Sequence, residues 1–120
     1  MEYFVVENTW LKGFMDKGWG NGYVIIPPGH PLHGKHYDEI SEHINIHGGL
    51  TYSRPVFDGS WWSDIPYTAH PEGWVVGFNT AHFGDNQAEW SREAVIMETV
   101  RLAGKLIKFK LEYDEKILLL

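Results

Sequence analysis

One segment of the chain, residues 30–53, reads HPLHGKHYDEISEHINIHGGLTYS. Its second half alternates between apolar and polar residues with a period of two, which is the period of a β-strand. The apolar positions are Ile44, Ile46, Leu50 and Tyr52. The polar positions are Asn45, His47, Gly49, Thr51 and Ser53. We therefore predict a strand over residues 44–53 that packs on the core with one face and forms the floor of a polar pocket with the other, where the glycines let a ligand approach closely.

Three further strands are predicted around this segment. Short runs of β-branched and aromatic residues lie at 3–6, 23–26 and 74–80, and such residues favour strands. The run at 23–26 is apolar on both faces, which is typical of a central strand covered on both sides. These strands predict a sheet in which the segment at 44–53 is one member.

Helical periodicity predicts two helices. A short helix lies near residues 37–43, and a long C-terminal helix begins at Asn86 or Ser91, either of which can act as an N-cap. The residues predicted to pack on the sheet are Ile96, Val100, Ala103 and Ile107, and those predicted to face solvent are Glu93, Glu98, Arg101 and Lys105. Residues 109–113 alternate as a strand does. The expected fold is α+β: a small, mostly antiparallel sheet of about four or five strands packed against the long helix and the short one, in a single domain of residues 1–120.

Composition and charge exclude several classes of protein. With 10 Lys and Arg residues against 16 Asp and Glu residues, the formal net charge is −6, whereas binding to a nucleic-acid backbone depends on clustered basic residues. No cysteine is present, which excludes a disulfide scaffold, a thiolate zinc site and a cysteine nucleophile. The N-terminus does not resemble a signal peptide, and no apolar run approaches the roughly 20 residues of a membrane span. We expect a cytoplasmic protein without a membrane partner.

Histidines are concentrated in the first half of the same segment. His30, His33 and His36 follow at intervals of three, so a 3₁₀ turn would place their rings on one side. Imidazole and carboxylate groups bind zinc, manganese or iron. A divalent metal cofactor is therefore one interpretation, although the spacing assigns no ligand set. The other interpretation is an exposed loop, which we favour for His30 and His70 because each directly precedes a proline.

A second group of titratable residues follows the strand at 74–80. His82 and Asp85 lie at its end, where a neighbouring strand would place them beside His47. A histidine oriented by a carboxylate is the usual general acid/base pair near neutral pH. We predict His47, His82 and Asp85 as catalytic residues. The chain has no GxSxG motif and no P-loop, which disfavours serine hydrolase and P-loop chemistry.

The ligand-binding residues are predicted from the same pattern. A long aromatic loop over residues 57–67 has the composition of a lid, and its tryptophans either stack on a ligand or pack over the core. The predicted ligand-binding residues are His33, His36, Asp38, Asn45, Gly48, Gly49, Thr51, Ser53, Trp61 and Trp62.

Three motifs resemble a family of small proteins found in phages and prophages. They are HPLHG at residues 30–34, HGGLTYS at 47–53 and AHFGD at 81–85, and the resemblance extends over roughly residues 20–106. It implies a phage-type, cytoplasmic setting and marks these segments as the site, but it implies no particular activity. Asn79 stands where this pattern leads us to expect an acidic residue.

Three hypotheses for function follow. The first is an enzyme that binds and hydrolyses a small nucleotide-like or other polar ligand through histidine acid/base chemistry or a bound metal. The second is a binding protein that sequesters a host signalling nucleotide without converting it. The third is an interaction module that uses the aromatic loop and the apolar C-terminal run at 117–120, with homo-oligomerisation as one outcome.

Overall fold

The computed structural model describes residues 1–9, 17–56 and 71–119. Its elements, in chain order, are β1 (Tyr3–Glu7), β2 (Gly20–Ile26), α1 (Tyr37–Ser41), β3 (Tyr52–Pro55), β4 (Trp74–Phe78) and α2 (Arg92–Leu118). The four strands form one antiparallel sheet, and α2 is the long C-terminal helix. The predicted α+β fold is confirmed.

The sheet has the strand order β1-β2-β4-β3. As predicted, β2 is central, and its Val24, Ile25 and Ile26 are all buried. Alternate side chains of β2 and β4 serve two cores, one on each face of the sheet. The larger core joins Val24, Ile26, Val76 and Phe78 to Val95, Leu102 and Leu106 of α2. The smaller core joins Ile25 and Val75 to Val56.

The strand predicted over residues 44–53 is wrong for most of its length, because β3 begins only at Tyr52. Residues 44–51 form an irregular path with a turn in which Gly48 and Gly49 have φ of 67° and 78°. That left-handed conformation is accessible mainly to glycine and ends any extended run. Ile44, Ile46 and Leu50 are nonetheless buried. The alternation predicted which residues enter the core and not the backbone conformation that brings them there.

The long helix begins at Arg92, with the Ser91 hydroxyl accepting a hydrogen bond from the Ala94 amide at 3.3 Å. Of the two predicted start points, Ser91 is therefore the N-cap. The Asn86 side chain accepts instead from the Glu89 amide in the preceding turn. The helix continues to Leu118, so residues 109–113, whose alternation resembles that of a strand, are helical.

The face of α2 that packs on the sheet lies one position earlier than predicted. Its buried residues are Val95, Glu98, Thr99, Leu102, Ala103 and Leu106. Val100 and Ile107, predicted to be buried, are 47% and 42% exposed, and Glu98, predicted to face solvent, is 8% exposed. The helix carries apolar residues on two faces, so periodicity alone could not tell which one meets the sheet.

No helix among the described residues is long and apolar enough to span a membrane.

Candidate functional site

The centre of the candidate site is a hydrogen bond between His47 and Asp85. His47 Nε2 lies 2.9 Å from Asp85 Oδ1. The Asp85 side chain is 7% exposed, whereas the His47 side chain is 25% exposed. A buried carboxylate therefore holds an imidazole that remains open to a ligand. The two residues are 38 positions apart in sequence, and the fold brings them together as predicted.

The turn after β4 fixes the position of Asp85. The Asp85 amide donates to the His82 carbonyl at 3.0 Å, and the His82 amide donates to Asp85 Oδ2 at 2.9 Å. Asp85 Oδ2 thus accepts a hydrogen bond from within its own turn, and Asp85 Oδ1 accepts one from His47. Each oxygen has a donor, which is the usual condition for burying a carboxylate.

Two residues that sequence reasoning missed hold His47 from other directions. The Trp90 ring packs against the His47 ring with a centroid distance of 4.1 Å. The His47 amide donates to Glu98 Oε2 at 2.9 Å, and Arg101 Nη1 lies 3.0 Å from Glu98 Oε1. Glu98 is buried because it satisfies a backbone amide while paired with arginine. The only signal for it in the sequence is an acid three residues before an arginine on the helix, which also fits an exposed pair.

His82 lies beside His47, with the two rings 5.7 Å apart and nearly perpendicular. Its Nε2 is buried and has no hydrogen-bond partner among the described residues. Gly48 covers this atom so closely that a Cβ at residue 48 would stand 2.2 Å from it. An unpaired buried nitrogen is unfavourable, and the described part of the chain leaves this hydrogen-bonding group of His82 unused.

A cation and an exposed aromatic ring flank His82, and neither was predicted. Lys17 Nζ donates to the His82 carbonyl at 3.1 Å. Phe83, the next residue, is fully exposed, which is unusual for a phenylalanine. A positive charge therefore lies at the backbone of the turn that carries His82, and an exposed apolar ring belongs to the next residue.

The predicted pocket floor is only partly present. Asn79 Nδ2 donates to Thr51 Oγ1 at 3.3 Å, while Ser53 Oγ accepts from the Tyr37 amide at 3.0 Å. The Asn45 carbonyl accepts a hydrogen bond from Lys105. These three polar groups bind protein partners and do not contact His47. Of the predicted row, the residues next to the His47–Asp85 pair are Gly48, by its contact with His82, and its neighbour Gly49.

The first half of the histidine-rich segment is held by local contacts away from this centre. His33 Nε2 donates to the Glu72 carbonyl at 2.8 Å, and the exposed His36 accepts from the Asp38 amide as N-cap of α1. Asp38 is also exposed. None of these three side chains contacts His47, His82 or Asp85 in the described part of the chain.

His30, expected in an exposed loop, is buried. Its Nε2 donates to the Leu106 carbonyl at 2.8 Å, and its Nδ1 accepts from the Leu32 amide at 3.0 Å. Burial lowers the pKa of His30 below the ordinary 6.5, partly offset by the hydrogen bond to Leu106. His30 is a neutral structural residue that ties the loop to α2.

The remaining predictions concern a bound metal and three residues near the aromatic loop. Among residues 1–9, 17–56 and 71–119, no group of three or more histidine or acidic side chains is placed to hold a metal ion. Trp61, Trp62 and His70 lie outside the described residues.

The comparisons with known proteins give no match, either to a protein-family model, to a curated protein or to a solved structure. The resemblance to the phage family therefore stays a prediction.

Proposed function

We propose that the protein binds a small phosphate-bearing, nucleotide-like ligand beside His47 and His82 and hydrolyses it, with His47 as the general base. The proposed setting, the cytoplasm of a phage-infected cell, rests on the sequence resemblance alone.

One observation carries the proposal: the hydrogen bond between His47 and the buried Asp85. A carboxylate only accepts hydrogen bonds, so the proton of a neutral His47 lies on Nε2. The other ring nitrogen, Nδ1, then carries the lone pair that a general base needs. Asp85 also stabilises the imidazolium that forms when His47 takes up a proton. The Trp90 ring, whose centroid lies 4.1 Å away at a tilt of 35°, packs against His47 and holds it in this orientation.

The proposed reaction uses water as the nucleophile. Nδ1 of His47 takes a proton from a water molecule while the water oxygen forms a bond to the electrophilic phosphorus or carbonyl carbon of the ligand. The bond to the leaving group breaks, and the leaving group takes a proton from the imidazolium or from solvent. His82, with its ring 5.7 Å from that of His47 and its Nε2 covered by Gly48, forms the wall of the site beside the reacting water.

The ligand class follows from the edge of the site. The Lys17 ammonium, held at the His82 carbonyl, attracts a phosphate group. The fully exposed Phe83 ring offers a face on which a base can stack. A nucleotide combines both features.

A binding-only function is the second candidate, and one observation favours it. The hydroxyl groups of Thr51 and Ser53 are each engaged in hydrogen bonds away from His47, so no side-chain nucleophile stands at the site among the described residues. Sequestration needs only the hydrogen bonds, the charge and the stacking surface. The same residues would then bind the ligand and release it chemically unchanged.

A thermal-shift screen tests both candidates, with AMP, ATP, NAD and cyclic di-GMP as probes and the supernatant analysed by chromatography. A probe that raises Tm and is converted supports hydrolysis, and one that raises Tm and is recovered intact supports sequestration. The variants His47→Ala and Lys17→Met should weaken the shift. Phe83→Ala should weaken it and Phe83→Tyr should keep it.

The matched control is His36→Ala, which removes an exposed histidine from the same segment without touching the site. It should bind as the unaltered protein does. If no probe shifts Tm, or if His47→Ala binds and converts the probe normally, the proposed site is wrong.

A further inference from the structure

The solvent face of α2 carries a second apolar stripe. Met97, Val100, Ile107 and Leu111 are exposed by 72%, 47%, 42% and 64%. Together with Gly104 they follow at intervals of three and four residues, the spacing of helix-to-helix contact positions in coiled coils.

This stripe lies almost opposite the face that packs on the sheet. At 100° per residue, the five positions of the stripe point roughly 110° to 170° away from the centre of the buried set formed by Val95, Thr99, Leu102 and Leu106. A helix that packs on a sheet with one face normally presents charged and polar residues on the other. The stripe itself carries no charged residue between positions 97 and 111, and Lys108 and Arg101 border it on the side of Met97, so the stripe has the composition of a narrow contact surface.

Gly104, in the middle of the stripe, makes no close packing contact with the described part of the chain. It is exposed, and a Cβ added there would meet no atom of the described residues within 4 Å. A glycine inside a helix costs about 1 kcal/mol relative to alanine. What glycine provides is close approach of another backbone, which is how helices cross at small residues.

We propose that this face binds the same face of a second copy of the chain, with the two α2 helices antiparallel and Gly104 at the two-fold axis. The stripe reads nearly the same in both directions from Gly104. Val100 and Ile107 lie four residues before it and three after it, and Met97 and Leu111 lie seven residues to either side. A two-fold interface brings each patch against itself, so Met97 meets Leu111 of the second copy and Val100 meets Ile107.

The charged residues beside the stripe are paired within their own chain, although the antiparallel contact places Arg101 beside Lys108 of the second copy. Arg101 pairs with Glu98, Lys108 with Glu112 and Lys110 with Asp114, all within one chain. The flanks are therefore locally neutralised before a second copy approaches.

The size of the stripe sets the expected strength. Its four large side chains expose on the order of 400 Å² of apolar surface, about half of what each partner buries in a standard interface. The dimer is accordingly weak and reversible, with dissociation in the micromolar range or above. The surface lies along the body of α2, and not on the apolar run at 117–120 that the sequence indicated.

Sedimentation equilibrium from about 10 µM to about 1 mM tests the proposal, because it spans this range of affinities. The protein should shift from its monomer mass of 13.8 kDa toward twice that mass. Met97→Glu and Leu111→Glu should each remain monomeric at the highest concentration. Val6→Glu is the matched control, since it places the same charge at an exposed apolar residue of β1, and it should dimerise normally.

Because the chain has no cysteine, single introduced cysteines report the orientation. With oxidised glutathione as the oxidant, the Gly104→Cys variant should cross-link to itself. The Met97→Cys and Leu111→Cys variants should cross-link when mixed and far less when alone, whereas a parallel arrangement gives the opposite result. A monomer at every concentration, a dimer that survives Leu111→Glu, or efficient self-linking of Met97→Cys overturns the proposal. Circular dichroism of each variant shows whether a loss of dimer comes from loss of fold.

Discussion

Two groups of histidines in this molecule have opposite surroundings. His30 and His33 donate to backbone carbonyls, and His36 accepts from a backbone amide at the start of α1. His47 instead bonds to the buried carboxylate of Asp85 and remains a quarter exposed. The backbone contacts hold the loop before α1 in place, whereas the carboxylate contact orients the ring of His47.

The difference shows that histidine density is a poor guide to a site. What separates the two groups is the hydrogen-bond partner, because a backbone carbonyl only positions a ring, whereas a carboxylate also stabilises its protonated form. The predictions below test this separation, from the largest expected effect to the smallest.

Asp85→Asn should have the largest effect. An asparagine amide can donate to His47 Nε2 and leave the proton on Nδ1, so the ring can no longer act as a base toward water. We expect turnover of the probe to fall by about 100-fold to 10,000-fold while binding changes little. Steady-state kinetics, with kcat and KM measured separately, would show this. Asp38→Asn, in the first group and exposed, is the control and should leave kcat unchanged.

His30→Ala should affect stability and not the site. The substitution leaves the Leu32 amide and the Leu106 carbonyl without their partner and opens a cavity beside α2. We expect the free energy of unfolding to fall by about 2–4 kcal/mol, measured by urea denaturation. His36→Ala should cost about 0.5 kcal/mol, since it loses one exposed cap. If both substitutions have equal cost, the structural role of His30 is refuted.

Gly48 and Gly49, which follow His47 in the chain, give a matched pair of substitutions near His82. Both Gly48 and Gly49 have positive φ, but a Cβ collides with His82 only at residue 48 and meets nothing within 4 Å at residue 49. We expect Gly49→Ala to cost about 1 kcal/mol for the backbone alone and Gly48→Ala about 2 kcal/mol. Only Gly48→Ala should also disturb probe binding. Equal losses in both variants would mean that the turn does not press on His82.

The pH dependence of stability should carry a small contribution from His30. Burial lowers the pKa of this residue below 6.5, so below that pH the unfolded chain binds a proton that the folded chain does not. The free energy of unfolding should therefore fall as the pH drops below about 6.5. The charged neighbours Lys110 and Asp114 oppose each other here, and His33 adds slightly to the lowering. His30→Gln should flatten the slope between pH 6.5 and pH 5 in urea titrations, and an unchanged slope contradicts the assignment.

Much of the fold could be predicted from local pattern. The apolar run at 23–26 identified the central strand, and Ser91 was one of two N-caps proposed for the long helix. The failures have physical reasons. The alternation at residues 44–53 correctly predicted which side chains are buried. It did not predict the backbone, because Gly48 and Gly49 have positive φ and form a turn where a strand was expected. In α2 the apolar residues lie on two faces, so the choice between them depended on the sheet.

The positions of the site residues could be predicted only where those residues lie close together in the sequence. His82 and Asp85 share one turn, so their proximity was foreseeable. His47 was expected beside them on a strand that does not form, so this contact was predicted correctly for the wrong reason. Glu98 and Trp90 reach His47 from the start of α2, over contacts that no local pattern encodes. The position of Lys17 could not be predicted, because its side chain bonds to the backbone carbonyl of His82, which is 65 residues away in the sequence.

The most direct test of the central claim is a ¹⁵N-correlated NMR spectrum of the imidazole rings, assigned with single histidine variants. It should be recorded without ligand and with the probe that raises Tm most. We predict that neutral His47 carries its proton on Nε2 and that the probe shifts the resonances of His47 and His82, while those of His30, His33 and His36 stay in place. A proton on Nδ1 of His47, or shifts confined to His30, His33 and His36, would contradict the assignment of the site.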